Sequence, residues 1–427
     1  MKTMEQKGLA VSKMAEGLIG SEIIKIAGEV KNKMANGEKI YNFTIGDFDP
    51  KIFPIPAELT QEIKDAYTLG ETNYPEANGI LGLRKQVSKF ISDREKINYD
   101  ADEVVIACGA RPIIYAIFRT LVDSNDTVIF PIPSWNNNHY CHMTDANVVE
   151  ITTQAENNFM PTADELRPHL KGATLIALCS PLNPTGTVFK KEVLEEICDM
   201  ILAENASRSA NEKPLYLMYD QIYWVLTHGQ TQHYNPVSLR PAMRNYTVFV
   251  DGISKCFAAT GLRVGWSIGP KFITDRMRAI LSHVGAWAPR AEQIATEKYL
   301  SDSQKVDTFL NVFKTELSLR LEALYNGINA LQQKGYKVAA IAPQAAIYLT
   351  VQFNLTGYTT KDGMLLTNAR DVTKFLLNDA KLAVVPFYAF GSDDSNQWYR
   401  ISVGTCKKEE IPQVLQLLEA ALESLSK

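Results

Sequence analysis

Three charged side chains follow short apolar runs in the middle of the chain. Asp220 follows the run 215–219, Lys255 follows the run 247–250, and Arg263 lies eight residues beyond Lys255. Residues that follow the strands of an open α/β sheet lie at one edge of it, where such sheets bind ligands. A lysine amine can form a Schiff base with an aldehyde, a carboxylate can hold a proton on a pyridine nitrogen, and an arginine can bind a phosphate. The set therefore fits a pyridine aldehyde with a phosphate tail.

The residues after the other apolar runs add binding groups of the same kind. They are Gly109, Ala110 and Arg111, which open a helical segment, followed by Trp135, Asn183 and Tyr223. Free N–H groups at a helix start can bind phosphate, an aromatic ring can cover a flat ligand, and amide and phenol groups can bond a ring oxygen. Each residue alone also has an ordinary structural explanation, such as a turn or a surface ion pair, but the joint placement favours a ligand site.

The elements that must position these residues are strands and helices in alternation. The apolar runs are 104–107, 128–130, 148–151, 175–178, 215–219, 247–250 and 265–268. Several show no polar alternation, which is typical of strands buried on both faces, and the βαβ order predicts a doubly wound sheet. We predict an α/β fold with a large domain on a mostly parallel, mixed, seven-stranded sheet flanked by helices, and a smaller α+β domain.

The C-terminal part of the chain has a different pattern. A long amphipathic helix is predicted over 310–335, followed by strands at 348–353 and 399–403 and helices at 371–378 and 409–425. We predict a large domain over 51–310 and a small domain over 311–427. Residues 1–50 are too few to be independent, and we expect them to join the small domain.

The composition is that of an ordinary globular protein. Of 427 residues, 46% are hydrophobic and 22% are charged, and the formal net charge is −4. These values exclude disorder as the main state and lack the basic balance of a general nucleic-acid binder. Six cysteines without CxxC spacing predict neither a metal site nor a disulfide framework. Neither a signal peptide nor a membrane span is expected, so we predict a cytoplasmic protein.

Several motifs together resemble those of class I aminotransferases, which are fold-type I pyridoxal-phosphate enzymes similar to aspartate aminotransferase. The motifs are Tyr74-Pro75, Asn183-Pro184-Thr185-Gly186, Tyr219-Asp220 with Tyr223, Ser254-Lys255, Gly261-Leu262-Arg263-Val264-Gly265 and Tyr399-Arg400-Ile401-Ser402. The resemblance runs from about Asn42 to the end of the chain. It implies pyridoxal 5′-phosphate as cofactor and the transfer of the α-amino group of an L-amino acid to a 2-oxo acid.

The resemblance also implies which residues would bind the cofactor ring. Lys255 would form the Schiff base and move the proton, and Asp220 would pair with the pyridine nitrogen, supported by His139. Asn183 and Tyr223 would bond the ring oxygen. The ring would stack on Trp135.

The remaining implied roles concern the phosphate, the substrate and the assembly. The phosphate would be bound by Gly109, Ala110, Arg111 and Arg263 and by Tyr74 from the second subunit of a homodimer. Arg400 would bind the substrate α-carboxylate, beside the backbone of Gly46.

Two positions depart from the family pattern. Gly252 stands where the family usually has a hydroxyl residue that bonds the phosphate, and Arg111 stands where many relatives carry an uncharged polar residue. Arg111 could replace the lost hydroxyl, or it could bind the distal carboxylate of aspartate or glutamate with a planar two-point contact. The second hypothesis favours acidic substrates, and Arg290 is a weaker candidate for the same task, which it could perform from the partner chain.

Other functions fit part of the pattern. Trp287 and the stretch 387–391 could line a pocket for aromatic substrates, which leaves aromatic or broad specificity open. A carbon–sulfur lyase of the same fold would keep the same cofactor residues. A regulator with an aminotransferase-like domain is disfavoured, because the residues before Asn42 are too few for a helix-turn-helix domain. A nicotinamide dehydrogenase is disfavoured by the lack of a G-x-G-x-x-G motif after the first strand.

Overall fold

The computed structural model describes residues 11–427 except Ile19 and Ser21. Its strands are β1 (Tyr41–Asn42), β2 (Val104–Ala107), β3 (Thr127–Ile132), β4 (Asn147–Thr152), β5 (Ala173–Cys179), β6 (Tyr216–Asp220), β7 (Thr247–Gly252), β8 (Gly265–Ile268), β9 (Val338–Ala340), β10 (Tyr348–Phe353), β11 (Leu382–Ala383), β12 (Val385–Pro386) and β13 (Trp398–Ser402).

Helices and strands alternate from β2 to β8, and the later helix α13 is long, with 31 residues. They are α1 (Lys13–Gly17), α2 (Glu22–Ala35), α3 (Ala57–Thr68), α4 (Leu81–Glu95), α5 (Ala110–Leu121), α6 (Asn137–Thr144), α7 (Ala163–Leu166), α8 (Lys191–Ser207), α9 (Pro236–Leu239), α10 (Ile253–Cys256), α11 (Lys271–His283), α12 (Arg290–Ser301), α13 (Ser303–Gln333), α14 (Ala369–Asn378) and α15 (Ile411–Glu423).

Seven of the described strands form one sheet in the order β2-β8-β7-β6-β5-β3-β4. Strand β8 is antiparallel to both neighbours, and the other pairs are parallel. Alternate residues of each central strand belong to two different cores: Ile176 and Leu178 pack on one face, and Leu175 and Ala177 on the other. Because both faces are covered, the strand sequences show no polar alternation. The predicted mixed seven-stranded sheet flanked by helices is confirmed.

Because β8 runs antiparallel to its neighbours, Arg263 lies at the edge of the sheet where the ligand site is predicted. Gly252, at the end of β7, pairs with Gly265, at the start of β8. The residues that precede β8 therefore lie at the same edge of the sheet as the residues that follow β7. Arg263 and Lys255 are brought together in this way.

A second core lies beside the sheet. Strands β12-β13-β10-β9 form an antiparallel sheet, and β1 pairs with β11, Tyr41 opposite Leu382. Helix α13 joins the two cores, because Leu310 packs in the first and Phe313 in the second. The division at 310/311 stays a prediction, and it falls inside this continuous helix. Within the described residues, none of the helices is both long and apolar enough to span a bilayer.

Gly109, Gly252 and Gly265 allow the backbone segments before α5, at the end of β7 and at the start of β8 to approach one another closely. A Cβ atom on Gly265 would lie 2.6 Å from the carbonyl carbon of Gly109, and one on Gly252 would lie 2.7 Å from the Cα of Gly265. Such distances leave no room for a side chain. The glycine at 252, where the family usually has a hydroxyl residue, is thus required by the packing of β7 against β8.

We expect Gly252→Ser to destabilise the fold although it restores the usual hydroxyl. The added Cβ would force β7 from β8, at a cost of about 1–3 kcal/mol in the free energy of unfolding. Gly261→Ser is the matched control, because a Cβ at Gly261 meets nothing within 4 Å. Urea-induced unfolding of the ligand-free variants measures the difference. Equal midpoints for the two variants would contradict the steric explanation.

Candidate active site

A cavity of about 420 Å³ lies at the carboxyl edge of the large sheet, where the two cores meet. Among the residues that line it are Gly46, Ala110, Arg111, Trp135, Asn183, Asp220, Tyr223, Lys255, Arg263 and Arg400. The structure therefore brings together residues that are far apart in the sequence. Of the other residues predicted for the site, Gly109 packs directly behind the cavity against Arg263, and Tyr74 lies outside it.

Lys255 is a largely buried amine on α10, directly after β7. Its Nζ donates a hydrogen bond to the carbonyl oxygen of Gly46, at 2.7 Å. Burial is the main reason why the pKa of Lys255 falls to about 8, and the carboxylate of Asp47 opposes that fall. A further lowering comes from the positive charges of Arg400, Arg111 and Arg263. The amine is thus closer to its neutral, nucleophilic form near neutral pH than an exposed lysine is.

Asp220 ends β6 and has few partners. Its Oδ1 accepts a hydrogen bond from the backbone N–H of Ile222, at 3.0 Å. Burial raises the pKa of Asp220 to about 6, which that hydrogen bond partly opposes. Such a carboxylate can pair with a protonated ring nitrogen, which would supply the missing counter-charge.

The prediction that His139 supports Asp220 is not supported by the structure. Within the described residues, Asp220 accepts no hydrogen bond from His139. Burial lowers the pKa of His139, and the charges that act on the ring are those of His142 and Arg111.

Arg400 is a buried cation on β13, with 2% of its surface exposed. Its Nη1 donates to Oδ1 of Asn183, at 3.0 Å, and its Nη2 donates to the carbonyl oxygen of Thr44, at 2.7 Å. It forms no ion pair with a described residue, and its Nε has no partner. Burial lowers the pKa of Arg400. A fixed guanidinium without an acid partner is suited to binding an anionic ligand.

The hydrogen bond from Arg400 fixes the orientation of the Asn183 side-chain amide. Because its Oδ1 accepts from Arg400, its Nδ2 remains available as a donor toward the cavity. The turn that carries it is held by Pro184 and Gly186. An amide fixed in this way can donate to the oxygen of a bound ring.

The start of α5 and Arg263 form an anion site. Gly109 precedes α5 in a left-handed conformation, at φ 91°, and no side chain caps the first N–H groups. Arg263 donates to the carbonyl oxygens of Thr260, at 2.7 Å, and Cys108, at 2.9 Å. A Cβ at Gly109 would lie 2.2 Å from Nη2 of Arg263, so the glycine is needed for this approach. Free N–H groups beside a guanidinium are well suited to a phosphate.

Arg111 is an exposed cation at the mouth of the cavity. Its guanidinium lies 5.3 Å from the centre of the Trp135 ring, and it forms no ion pair with another described residue. Arg290, the weaker candidate, instead pairs with Glu71 at 2.6 Å and does not line the cavity. Of these two arginines, only Arg111 is available to a ligand bound in the same chain.

The aromatic residues considered for the substrate side lie elsewhere. Trp287 does not line the cavity and packs against Tyr74, which is 80% exposed, at 5.1 Å between ring centres. Phe387 and Phe390 are buried in a short turn, and the Phe390 ring lies 5.0 Å from the guanidinium of Arg400. Phe387 and Phe390 thus belong to the core and Tyr74 to the surface, and none of them forms an aromatic wall of the cavity.

The sequence did not indicate several residues that line the cavity. The hydroxyl of Tyr348, at the start of β10, lies 2.6 Å from that of Tyr223. Asp47 accepts a hydrogen bond from Thr260, at 2.7 Å. Helix α2 contributes Ile23, Ile24 and Ala27. Their contacts are long-range, and no local motif marked them.

Within the described residues, no group of three or more His, Cys, Asp or Glu side chains could hold a metal ion. The residues at the cavity instead fit the pyridine aldehyde phosphate. They provide a buried amine, a carboxylate with a free oxygen, a free amide donor, and an anion site at a helix start.

Comparisons with known proteins agree with this arrangement. Residues 38–418 match the model of the family described as aminotransferase class I and II. An aspartate aminotransferase of Rhizobium meliloti strain 1021 is 26% identical over 427 residues, which cover 99% of each chain. A probable aspartate/prephenate aminotransferase of Rickettsia felis is 27% identical over 380 residues, 88% of each chain. The crystal structure of the Rhizobium meliloti aspartate aminotransferase is similar with a TM-score of 0.90 at 26% identity, covering 98% of this chain and all of that one.

The family match spans most of the chain, and the residues at the cavity suit the cofactor that aminotransferases of this kind use. The chain therefore belongs to the class I and II aminotransferase family and is an enzyme that uses pyridoxal phosphate to transfer an amino group from an amino acid to a 2-oxo acid.

Proposed function

We propose that this aminotransferase prefers aspartate and glutamate as amino donors, and that it acts as a homodimer. One observation carries the substrate proposal: besides Arg263 at the phosphate end, two more arginines reach the same cavity without an ion pair, Arg400 buried and Arg111 exposed. A dicarboxylic substrate has two anionic groups that match them. The names of the relatives, aspartate and aspartate/prephenate aminotransferase, agree with such a preference.

When bound, pyridoxal phosphate supplies an electron-accepting ring and the carbon at which the amino group is exchanged. The phosphate would be bound by Arg263 and by the N–H groups of Ala110 and Arg111 at the start of α5, directly after Gly109, whose own N–H donates to the carbonyl oxygen of Ala107. Asp220 would hold a proton on the ring nitrogen. Asn183 and Tyr223 would donate hydrogen bonds to the ring oxygen, and Trp135 would cover one face of the ring.

Lys255 would act as the base and acid of the reaction. Its pKa of about 8 means that the amine can both accept and release a proton near neutral pH. Its contact with the carbonyl of Gly46 holds Nζ on the substrate side of the cavity.

Arg400 would bind the substrate α-carboxylate, with Gly46 beside it. A Cβ at Gly46 would lie 3.5 Å from Nη1 of Arg400, so a side chain there would reduce the space for a carboxylate. Arg111 would bind the distal carboxylate and can swing toward it, because nothing else in the described residues pairs with it.

A second candidate specificity has one specific observation in its favour. Ile23, Ile24 and Ala27 of α2 line the cavity together with Ile45 and Ile114. An apolar wall of this kind can also accept an uncharged side chain, which favours a mixed acidic and hydrophobic specificity. The cytoplasmic location stays a prediction.

The homodimer proposal would bury apolar side chains that are exposed in the single chain. Large apolar side chains with between 46% and 80% of their surface exposed are Tyr67, Leu69, Tyr74, Leu81 and Val284, on or near α3, α4 and α11. An interface with a second copy would remove such side chains from water. A second copy placed there would bring its Tyr74 toward the phosphate, as the family resemblance implies.

Arg111→Ala is expected to lower kcat/KM for aspartate about 10- to 100-fold, because one charge-assisted contact is lost. The kcat/KM with L-alanine as amino donor should change little. The rates with aspartate and with alanine are both measured in single turnovers, as the loss of the visible absorbance of the bound cofactor without added oxo acid. Arg119→Ala is the matched control, because Arg119 is an exposed arginine on the same helix, outside the cavity. If aspartate-to-alanine selectivity survives in Arg111→Ala, Arg111 does not bind the distal carboxylate. Persistent absorbance with ammonia release would indicate a lyase.

Asp220→Asn is expected to stabilise the cofactor-free protein at high pH only. The folded-state pKa of Asp220 is about 6, above its ordinary value, so the stability from its protonated form is lost as pH rises through 6. Asparagine does not ionise, so the variant avoids the cost of a buried carboxylate above pH 6. Its free energy of unfolding should be about 2–3 kcal/mol higher at pH 8, and this gain should vanish toward pH 4. Urea titrations across this range measure it, and a gain independent of pH would contradict it.

The shared site predicts complementation between two defective variants. Tyr74→Ala and Lys255→Ala would each lower activity, but a mixed dimer has one site with both residues intact. Refolding the two variants together should restore about a quarter of wild-type activity per chain. Each variant refolded alone is the control. No recovery, with dimers present by sedimentation, would show that Tyr74 does not act across the interface.

A further inference from the structure

Tyr348 occupies a central place in the site that the family motifs did not reveal. It has 1% of its surface exposed, and its hydroxyl lies 2.6 Å from that of Tyr223, which has 3% exposed. The guanidinium of Arg400 lies 4.7 Å from the centre of the Tyr348 ring. A Cβ at Gly46 would lie 3.0 Å from the hydroxyl oxygen. One side chain therefore touches residues from both the cofactor side and the substrate side.

The backbone around Tyr348 is fixed on the turn that carries Asn183. The N–H of Ala345 donates to the carbonyl oxygen of Gly186, at 2.8 Å, and Thr350 donates to the carbonyl oxygen of Thr185, at 2.9 Å. On the other side, His228 bonds the carbonyl oxygen of Ala346, at 2.7 Å. The position of the Tyr348 hydroxyl is thus set by several independent contacts.

The two hydroxyls share one hydrogen bond, and its direction decides where the Tyr223 proton points. Burial raises the pKa of both phenols, and the positive charge of Arg400 opposes that rise more directly for Tyr348, whose ring it covers. Either hydroxyl can donate in this bond, and a Tyr223 hydroxyl that donates to a ring oxygen in the cavity leaves Tyr348 as the donor between the two phenols. The proton of Tyr223 is then free to point into the cavity. The other titratable groups that act on Tyr348 are Cys179 and Asp47.

We propose that Tyr348 is a positioning residue that directs the Tyr223 hydroxyl proton toward the cofactor ring oxygen and supports Arg400 with its ring. A donor that itself accepts a hydrogen bond is strengthened by the polarisation of the chain. The hydroxyl of Tyr348 therefore acts on the cofactor through Tyr223. Its ring acts on the substrate through Arg400. This inference rests on the proposed contact of Tyr223 with the ring oxygen.

The hydroxyl and the ring of Tyr348 have different proposed roles, so substitutions that remove one or both should have different effects. A hydrogen bond to the ring oxygen favours the deprotonated form of the bound chromophore, so its weakening raises the pH midpoint of the visible absorbance. Tyr348→Phe keeps the ring and should raise that midpoint by about 0.5 unit, with a nearly unchanged KM for aspartate. Tyr348→Leu also removes the ring under Arg400 and should raise KM about 10-fold. Tyr399→Phe is the control, because its hydroxyl bonds Ala369, at 3.1 Å, outside the cavity.

A double-mutant cycle on the purified holoenzyme, measured without substrate, tests the route through Tyr223. If the inference holds, Tyr348→Phe shifts the midpoint in the wild type and has no effect in the Tyr223→Phe background. A shift for Tyr223→Phe without one for Tyr348→Phe overturns the inference and leaves the proposed function intact. An unchanged midpoint in Tyr223→Phe itself overturns the ring-oxygen contact and the inference together.

Discussion

The structure depends on the gathering of positive charge in one largely buried cavity. Lys255, Arg263, Arg400 and Arg111 all reach it, and the carboxylates there, Asp47 and Asp220, form no ion pair with them. Burying cations without counter-charges is costly. The excess is balanced only when anions enter, and the cofactor phosphate and the substrate carboxylates are anions of suitable number. Burial lowers the pKa of Lys255 most, and the neighbouring arginines lower it further, so the arrangement proposed to bind the ligands would also prepare the proposed base.

The fold brings these charges together by means of two topological features. The antiparallel strand β8 places Arg263 beside Lys255 at the carboxyl edge of an otherwise parallel sheet. The second core then lays β13 and the segment before α3 over that edge, which adds Arg400 and Gly46. The cavity thus lies between two cores and belongs to neither alone. Close packing of Gly109, Gly252 and Gly265 leaves no space for side chains where these backbone segments meet.

The sequence predicted the parts of the site that depend on local order. Lys255, Asp220 and Arg263 stand next to strands whose unbroken apolar runs are easily found, and the predicted runs 104–107, 265–268 and 348–353 coincide with strands. Tyr348 and Asp47 could not be found in this way, because their contacts join segments more than a hundred residues apart. The absent hydroxyl at Gly252 was visible in the sequence, but its cause, a backbone contact with Gly265, exists only in three dimensions.

If Arg400 binds the α-carboxylate and Arg111 the substrate side chain, as we propose, their different environments follow from the chemistry of amino transfer. The enzyme must accept an amino acid and a 2-oxo acid in turn, and every such substrate carries the same carboxylate next to the reacting carbon. A receptor for that group gains from rigidity, and Arg400 is fixed by Asn183 and Thr44. The side chains of the substrates differ, so their receptor gains from freedom to move. Arg111 has that freedom, because the face of Trp135 supports its guanidinium without a counter-ion that a ligand would have to displace.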